Sequence, residues 1–318
     1  MKDFKFILDD IDLGKKIYIG LSGGSDSIAL LNIVASYKRE YNLDVTSIHV
    51  NHSISQNSNM WQEFCEQSSK DLGINCIVKK ISIEKKGQGF EAAARGERYK
   101  VFKDILSEND QLLLAHHADD VAETLLLRIF RGTGIDGLQG PRRKRSLGKG
   151  NIIRPLLEIS KRDLMAYLND KNIEFINDES NNNSEYDRNY IRNEIIPLIE
   201  SRWQNHSNRL SRLSKLATDR KLVFNRLLNE SYKDLIGSEI EIKKLKELPK
   251  ELCMEIVRSS IELNKLATPN LSIMNEIYKT FILSNPSNKA CVSWSRIDNE
   301  QAGGMITKRN KKIIISKM

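Results

Sequence analysis

Short apolar runs alternate with segments of helical periodicity through the first half of the chain. Residues 17–21, 45–50, 76–81 and 111–115 are apolar runs of strand length. Between them, Ile28, Leu31 and Val34 recur at helical spacing, and residues 60–72 and 91–106 also carry a helical pattern. Alternation of strand and helix predicts a Rossmann-like α/β domain with a parallel sheet covered on both faces. Right-handed crossovers then bring the loops that follow the strands to one ligand-binding edge.

The pattern changes in the second half. The basic, Gly-containing stretch 140–150 has no periodicity, so we expect a mobile loop there. Ser160, with Asp163 three residues later, predicts a capped helix start. Apolar spacing along 205–235 predicts a long amphipathic helix. We expect this helix to link a first domain, 1–204, to a small α+β domain, 236–318, which ends in β-like runs at 291–294, 304–307 and 312–316.

The composition is that of a globular protein, with 40% hydrophobic residues and a net charge of +8 over 318 residues. The positive charge favours a polyanionic partner, although solvated Lys-rich faces would also account for it. No run approaches the roughly 20 apolar residues of a membrane span, so we expect no membrane partner. The four cysteines form no Cys-x-x-Cys pair, which disfavours a zinc site and suits a reducing cytoplasm; they are Cys65, Cys76, Cys253 and Cys291.

The strongest chemical signal is a loop where the first predicted strand turns into a helix. Uncapped amides at a helix start attract phosphate, and paired glycines let the backbone approach an anion. Asp26 would repel a bare phosphate and therefore suggests Mg²⁺ between the two. The loop lacks the lysine of a Walker A motif, and an ordinary turn is the alternative to an ATP site. The predicted ATP-binding residues are Ser22, Gly23, Gly24, Ser25, Asp26 and Ser27.

A second polar cluster follows the fourth predicted strand. His117, Asp120 and Glu123 lie at spacings that can share one helical face. Such a face can bind a metal or position an amine. The alternative is an acidic helix N-terminus that only stabilises the helix dipole. Zinc is less favoured, because no His-x-x-x-His spacing or cysteine partner completes a ligand set.

Further motifs occur in a recognisable order along the chain. They are His49-Val50-Asn51-His52, Ala93-Ala94-Arg95, Arg131-Gly132-Thr133-Gly134, Arg154-Pro155-Leu156-Leu157, Asp178-Glu179-Ser180-Asn181 and Arg188-Asn189-Tyr190-Ile191-Arg192. With the loop at 22–27 and the cluster at 117–123, this series resembles the tRNA(Ile)-lysidine synthase family of PP-loop ATP pyrophosphatases, in its short form. The resemblance runs from about 17 to 197 and is weaker beyond. Two departures are Pro141, where many relatives have Met, and Ser53-Ile54-Ser55 in place of Gly-Leu-Arg.

The resemblance implies an adenine nucleotide alpha hydrolase-like fold and a specific ligase reaction. With ATP and Mg²⁺, such an enzyme joins L-lysine to C2 of the wobble cytidine in the CAU anticodon of tRNA(Ile). An adenylated cytidine is the intermediate, AMP and pyrophosphate are released, and the tRNA then decodes AUA. The resemblance leaves open whether the chain acts as a monomer or a homodimer.

The resemblance also implies roles for individual residues. Asp26 would hold Mg²⁺, while His117 and Asp120 would position or deprotonate the amine. Glu123 would bind the ammonium or the α-amino end of the lysine, and Arg95 would hold a phosphate or the lysine carboxylate. The candidate tRNA phosphate contacts are Arg131, Arg142, Arg143, Lys144, Arg145, Arg188 and Arg192.

Three rival functions are weaker. A PP-loop tRNA thiolase activates the base in the same way but delivers sulfur, commonly through an iron–sulfur cluster or paired cysteines, and this chain has no close cysteine pair. Nothing in the chain resembles the glutaminase domain of an amide synthetase. A nucleotide-binding regulator without chemistry would leave the cluster at 117–123 unexplained.

Overall fold

The computed structural model describes residues 3–53, 57–82, 90–177, 186–295 and 301–318, without the side chains of 90–92. The chain divides into two compact units, Met1–Asp219 and Arg220–Met318. The division falls inside the long helix that was predicted to link two domains.

A six-stranded sheet organises the first unit. Its strands are β1 (Ile17–Gly20), β2 (Val45–Asn51), β3 (Asn75–Lys80), β4 (Gln111–Leu113), β5 (Lys144–Leu147) and β6 (Gly150–Ile153). Their order is β3-β2-β1-β4-β6-β5. All neighbours pair in parallel except β5, which runs antiparallel to β6 at the edge. The predicted α/β class and all four predicted strands are confirmed.

Helices cover both faces of this sheet, as the sequence predicts. They are α1 (Ser25–Lys38), α2 (Ser58–Asp71), α3 (Phe90–Ile105), α4 (Ala118–Phe130) and α5 (Lys161–Asp170). Successive residues of a strand point to opposite faces. Accordingly, Ile17 and Ile19 belong to one buried apolar cluster, and Tyr18 between them belongs to another. Apolar clusters on both faces therefore fix the sheet, and the carboxyl ends of its parallel strands lie along one edge.

The expectation of a mobile loop at 140–150 is wrong. Residues Lys144–Leu147 form β5, and a two-residue turn with Gly148 at φ +60° connects it to β6. Alternate residues do point inward, since Lys144 and Ser146 are exposed while Arg145 and Leu147 are half-buried. One of the two inward residues is an arginine, so the alternation is invisible to a hydrophobic–polar pattern.

The first unit ends in a set of helices. α6 (Asp187–Tyr190) passes through a π-helical turn, Ile191–Ile195, into α7 (Ile196–Arg202), and α8 spans His206–Tyr232. Ser211 and Ser214 of α8 donate to the carbonyls of Leu157 and Gln139 at 2.7 and 2.6 Å. The long helix predicted at 205–235 is confirmed.

The second unit has its own sheet and core. After α8 come β7 (Glu239–Glu241), α9 (Ile242–Lys246), α10 (Lys250–Leu263), α11 (Leu271–Tyr278), β8 (Cys291–Trp294), β9 (Gly304–Arg309) and β10 (Lys312–Lys317). The strands form an antiparallel sheet in the order β7-β10-β9-β8. Phe281, Trp294 and Ile306 are buried in its core. The predicted α+β character of this region is confirmed, and no described helix in either unit is long and apolar enough to cross a membrane.

Candidate active site

The loop between β1 and α1 has the geometry of an anion cradle. Gly23 has φ +88°, in the left-handed region that favours glycine. The Ser27 hydroxyl donates to the Gly24 carbonyl at 2.9 Å and accepts from the Ser22 amide at 3.2 Å, which braces the turn. Gly24 is the N-cap of α1 and provides no side-chain hydrogen bond to the first turn. The first amides of α1 are thus left to bind an anion.

Lys161 lies beside the loop carboxylate. Its Nζ is 2.5 Å from Asp26 Oδ1 and 2.6 Å from Ser25 Oγ. Burial opposes ionisation of Asp26, but His117 and Lys161 bring its pKa below the ordinary value. Lys161 is the first residue of α5, whose Ser160 N-cap accepts from the Asp163 amide as predicted. Lys161 was not predicted as a site residue, because it lies 135 residues from Asp26 in the chain.

His117 joins the loop to the second polar cluster. Its Nε2 lies 3.4 Å from Asp26 Oδ2 and 3.6 Å from Asp120 Oδ2. It is the N-cap of α4: Nδ1 accepts from the Asp119 amide at 3.2 Å, and Asp120 accepts from the His117 amide at 3.0 Å. The helix N-terminus that was the alternative and the predicted chemical cluster therefore involve the same residues.

Two features of the structure bear on the protonation of the His117 ring. Burial alone would lower the pKa of His117, but the carboxylates of Asp120, Asp119 and Asp26 raise it to about 10. The cap hydrogen bond, by contrast, needs Nδ1 without a proton. Both states keep a proton on Nε2, facing Asp26 and Asp120. His117 therefore presents a donor, and not a lone pair, to the centre of the site.

Two arginines hold the remaining carboxylates of the cluster. Arg188 donates to Asp120 and to Glu123 at 2.7 Å each, and Arg192 donates to both oxygens of Glu123 at 2.6 and 2.9 Å. Glu123 is 2% exposed. Arg188 lies on α6 and Arg192 in the π-helical turn, so this turn brings both guanidinium groups to one carboxylate. The contacts of Arg188 and Arg192 with tRNA phosphate stay a prediction. The carboxylates of Asp120 and Glu123 already neutralise part of the charge of these arginines.

A third group is basic and partly buried. Arg95 and Arg145 each place a guanidinium 5.0 Å from the centre of the Tyr99 ring. Arg154, which is 4% exposed, donates to His116 Nδ1 at 3.3 Å. Three arginines from α3, β5 and the end of β6 thus converge on one phenol. Arg95 and Arg145 were predicted site residues, whereas Tyr99 and Arg154 were not given roles.

The other predicted phosphate contacts differ in availability. Arg142 and Lys144 have exposed side chains. Arg143 instead contacts Asp10 and Glu158 at 2.5 Å each, and Arg131 contacts Asp187 at 2.7 Å. Charges already paired within the protein contribute less to RNA binding than solvated ones.

Supporting residues hold the loop from behind. His49 is buried on β2, and its Nδ1 lies 3.0 Å from the Leu21 carbonyl. The Ile176 amide donates to the Gly23 carbonyl at 2.9 Å, so the segment before residue 178 lies against the loop. The motif at 178–181 and the departure at 54–55 fall outside the described residues.

The site fits a magnesium ion bound together with nucleotide. Within the described parts of the chain, no three His, Cys, Asp or Glu side chains form a ready-made metal site. Mg²⁺ commonly takes one or two carboxylates and completes its shell with phosphate and water. The contacts of Asp26 and Ser25 with the Lys161 ammonium show that these oxygens suit a cation.

Comparisons with known proteins agree with this geometry. Residues 2–199 match the PP-loop domain family. The chain is 35% identical over 285 residues to a tRNA(Ile)-lysidine synthase of Legionella pneumophila (strain Lens), covering 89% of this chain and 66% of that protein. It is 32% identical over 322 residues to the tRNA(Ile)-lysidine synthase of Wigglesworthia glossinidia brevipalpis, covering 97% of this chain and 78% of that protein. The chain thus spans about two thirds of the length of the Legionella relative.

One solved structure supports the fold alone. A U34-tRNA thiolase from Methanococcus maripaludis superposes with a TM-score of 0.54 at 16% identity, covering 68% of this chain and 78% of that one. The sequence relationship is closer and more specific than this structural one. The chain belongs to the PP-loop domain family and, within it, to the tRNA(Ile)-lysidine synthase family.

Proposed function

We propose that the chain joins L-lysine to C2 of the wobble cytidine of the CAU anticodon in tRNA(Ile), with ATP converted to AMP and pyrophosphate. One observation carries the proposal: His117 lies within 3.6 Å of both Asp26 in the phosphate loop and Asp120 in the second cluster. A site for ATP and a site for an amine therefore adjoin. Adenylation and displacement of AMP can then occur in one place.

In the first step, the cytosine O2 attacks the α-phosphorus of ATP, and the bond to the β-phosphate breaks. The first amides of α1 and the Lys161 ammonium stabilise the charge that gathers on pyrophosphate. Asp26 and the Ser25 hydroxyl would hold Mg²⁺. When bound, this ion would neutralise phosphate charge. It would compete with Lys161 for the oxygens of Asp26 and Ser25.

In the second step, the lysine ε-amine attacks C2, the C2–O2 bond breaks and AMP leaves carrying the cytosine O2. The nitrogen releases its proton to solvent. The bases available to this amine differ from those expected from the sequence. His117 presents a protonated Nε2, and although burial opposes ionisation, His117, His116 and Arg188 lower the pKa of Asp120. Neither group is a strong proton acceptor. We therefore assign both to positioning and charge stabilisation rather than to deprotonation.

The tRNA contact that we propose is electrostatic. Arg142 is exposed just before β5, Lys144 is exposed on β5, and Arg131 lies at the end of α4. The anticodon loop is single-stranded, so its wobble base can be unstacked and reached. We place this reaction in the cytoplasm.

A tRNA thiolase is the alternative that the experiment must separate. Burial raises the pKa of the Cys65 thiol to about 12, which makes it a poor nucleophile or ligand. A Cβ built at Gly23 in the phosphate loop would lie 3.3 Å from Cys65 Sγ. Burial also raises the pKa of the Cys76 thiol.

The test is to incubate the protein with labelled lysine, ATP, Mg²⁺ and unmodified tRNA(Ile), and to measure label in RNA together with AMP. Lysine incorporation with equal AMP release is expected. Release of AMP or pyrophosphate without label in the RNA would favour the thiolase, and no ATP turnover with any tRNA would refute the enzyme.

A substitution localises the ATP step. Asp26→Ala should abolish AMP formation, because the loop loses its only carboxylate, while tRNA affinity stays near that of the unchanged protein. Loss of tRNA binding in this variant would show that Asp26 does not have the assigned role.

A further inference from the structure

The carboxyl end of α4 carries apolar side chains that the core does not cover. Val121 and Leu125 of this helix are buried in an apolar cluster. Ile129, one turn beyond Leu125, would continue the buried stripe, but it is exposed. Phe130 is 66% exposed, and Ile135, at the start of the short 3-10 helix that follows, is exposed as well. The helix therefore extends past the core on which it packs.

An ion pair holds a second exposed apolar set beside the first. Arg131 Nη2 donates to Asp187 Oδ2 at 2.7 Å, which joins the end of α4 to the start of α6. Tyr186 precedes Asp187, and Tyr190 lies one turn later, where its amide donates to the Tyr186 carbonyl at 2.9 Å. Both rings are exposed, and their spacing places them on one side of the turn. We define the α4–α6 patch as Phe130, Ile135, Tyr186 and Tyr190.

The make-up of the patch favours nucleobases over a protein surface. Three of its four members are aromatic, and the exposed ion pair of Arg131 with Asp187 lies among them. The core of a protein–protein interface is depleted of charged residues. Single-stranded RNA is instead bound by aromatic rings that stack on its bases. Because Asp187 neutralises Arg131, the patch itself suits an uncharged base and not a phosphate.

A cation for the backbone of such an RNA lies beside the patch. Arg128 Nη1 donates to the carbonyls of Gly137 and Gly140 at 2.9 and 3.3 Å, which fixes the chain after Ile135 to α4. Arg142 comes two residues later and has an exposed side chain. Exposed rings and an exposed charge thus lie at the same end of α4. Aromatic rings next to a cation that holds the backbone are the pattern of single-stranded RNA sites.

The position of the patch relates it to the reacting base. Arg188 lies between Tyr186 and Tyr190 in the chain, and it donates to Asp120 and Glu123 at 2.7 Å each. The 13 residues of α4 span about 20 Å from the polar cluster at its start to the patch at its end. A short stretch of single-stranded RNA covers this distance. The patch is therefore within reach of the neighbours of a base held at the cluster.

We infer that Phe130, Tyr186 and Tyr190 stack on the bases of the anticodon loop that flank the wobble cytidine. The inference rests on the proposed function and adds the residues that position the loop while its wobble base is extruded. Extrusion removes the stacking between the wobble base and its neighbours, and the exposed rings replace part of it. The patch thus contributes affinity without a phosphate contact, so its contribution does not depend on counterion release.

The test measures the Kd of unmodified tRNA(Ile) by fluorescence titration at several salt concentrations. Phe130→Ala should raise the Kd by about fivefold to a hundredfold, the loss expected for one stacked base. The slope of log K against log salt should stay unchanged, because no phosphate contact is lost. Phe130→Tyr should bind tRNA like the unchanged protein, whereas Phe130→Leu, which keeps an apolar side chain without a ring, should bind almost as weakly as Phe130→Ala. Tyr190→Ala and Tyr190→Phe should differ in the same way.

Phe6→Ala is the matched control, since Phe6 is an exposed ring of the same unit that lies against Phe4, with ring centres 6.3 Å apart. It should leave the Kd unchanged. A second comparison uses tRNA with abasic sites on both sides of the wobble cytidine. With this RNA, Phe130→Ala and the unchanged protein should have the same Kd.

Three results would overturn the inference. They are tight binding by Phe130→Leu, a difference between Phe130→Ala and the unchanged protein that persists with the abasic tRNA, and a monomer–dimer change on light scattering with an unchanged Kd. The last would assign the patch to a second copy of the chain. A protein that binds tRNA but incorporates no lysine would refute the proposed function. The comparison of Phe130→Ala with Phe130→Tyr would still decide the stacking surface, because it needs only binding.

Discussion

Gly23 offers a quantitative test of the loop geometry. Its φ of +88° is costly for a residue with a side chain, and a Cβ built there would lie 2.6 Å from Ile176 Cδ1 and 3.3 Å from Cys65 Sγ. The backbone strain is roughly 1–2 kcal/mol. Turning the end of Ile176 away from its rotamer costs about 0.5–1.5 kcal/mol. Gly23→Ala should therefore destabilise the first unit by about 1.5–3.5 kcal/mol.

Gly24 provides the control within the same loop. Its φ is −69°, and a Cβ there would meet Ser22 Oγ at 3.6 Å, an ordinary contact. In Gly24→Ala, the lower entropy of the unfolded chain offsets the weaker N-cap, so the stability change should be within about 0.5 kcal/mol. Both variants add one methyl group to the same turn. Any difference between their free energies of unfolding therefore reflects the backbone geometry and contacts at the two positions.

Hydrogen exchange of β1 and α1 at several urea concentrations would measure the stability of this region separately from the second unit. The double variant Gly23→Ala with Ile176→Ala should be less destabilised than the two single changes predict, since the clash is removed while the φ strain remains. Equal destabilisation by Gly23→Ala and Gly24→Ala would refute this account of the loop.

Three further outcomes are expected. Lys161→Met should raise the KM for ATP and slow pyrophosphate release, whereas Lys161→Arg should retain much of the activity; equal loss in both variants would show that the charge is not what matters. Arg142→Ala with Lys144→Ala should reduce the slope of log K for tRNA against log salt by about 0.7 per contact. Arg143→Ala, which breaks internal ion pairs, should change this slope less. Equal slopes in these variants would contradict the separation of exposed from internally paired arginines. For His116, the folded pKa of about 3 lies below the unfolded value of 6.5, so stability is full above pH 6.5 and falls as the pH decreases, by up to about 1.4 kcal/mol per pH unit. His116→Asn should remove about one proton from this dependence between pH 6.5 and 5, as measured by urea unfolding at each pH; an unchanged slope would show that the ring is not buried in its neutral form.

Local sequence was sufficient for the parts of this protein whose physics is local. The turn at Ser22–Ser27 depends on a strand end, two glycines and a helix start, all within a few residues. The four predicted parallel strands follow from their apolar runs, whose side chains are buried in the clusters on the two faces of the sheet. The helical period of the apolar residues also predicted α8, although Leu213, Leu216 and Val223 on this helix are exposed. The family motifs added the proposed reaction and its substrates.

Tertiary structure decided which charges meet. Lys161 reaches Asp26 across 135 residues, and Arg188 reaches Glu123 across 65. The sequence assigned Arg188 and Arg192 to RNA because an arginine looks the same whether it faces solvent or a buried carboxylate. It also missed β5, since an inward-facing arginine that packs on Tyr99 breaks the hydrophobic–polar alternation. Charge pairing depends on distance in the folded chain, and a linear pattern does not contain that distance.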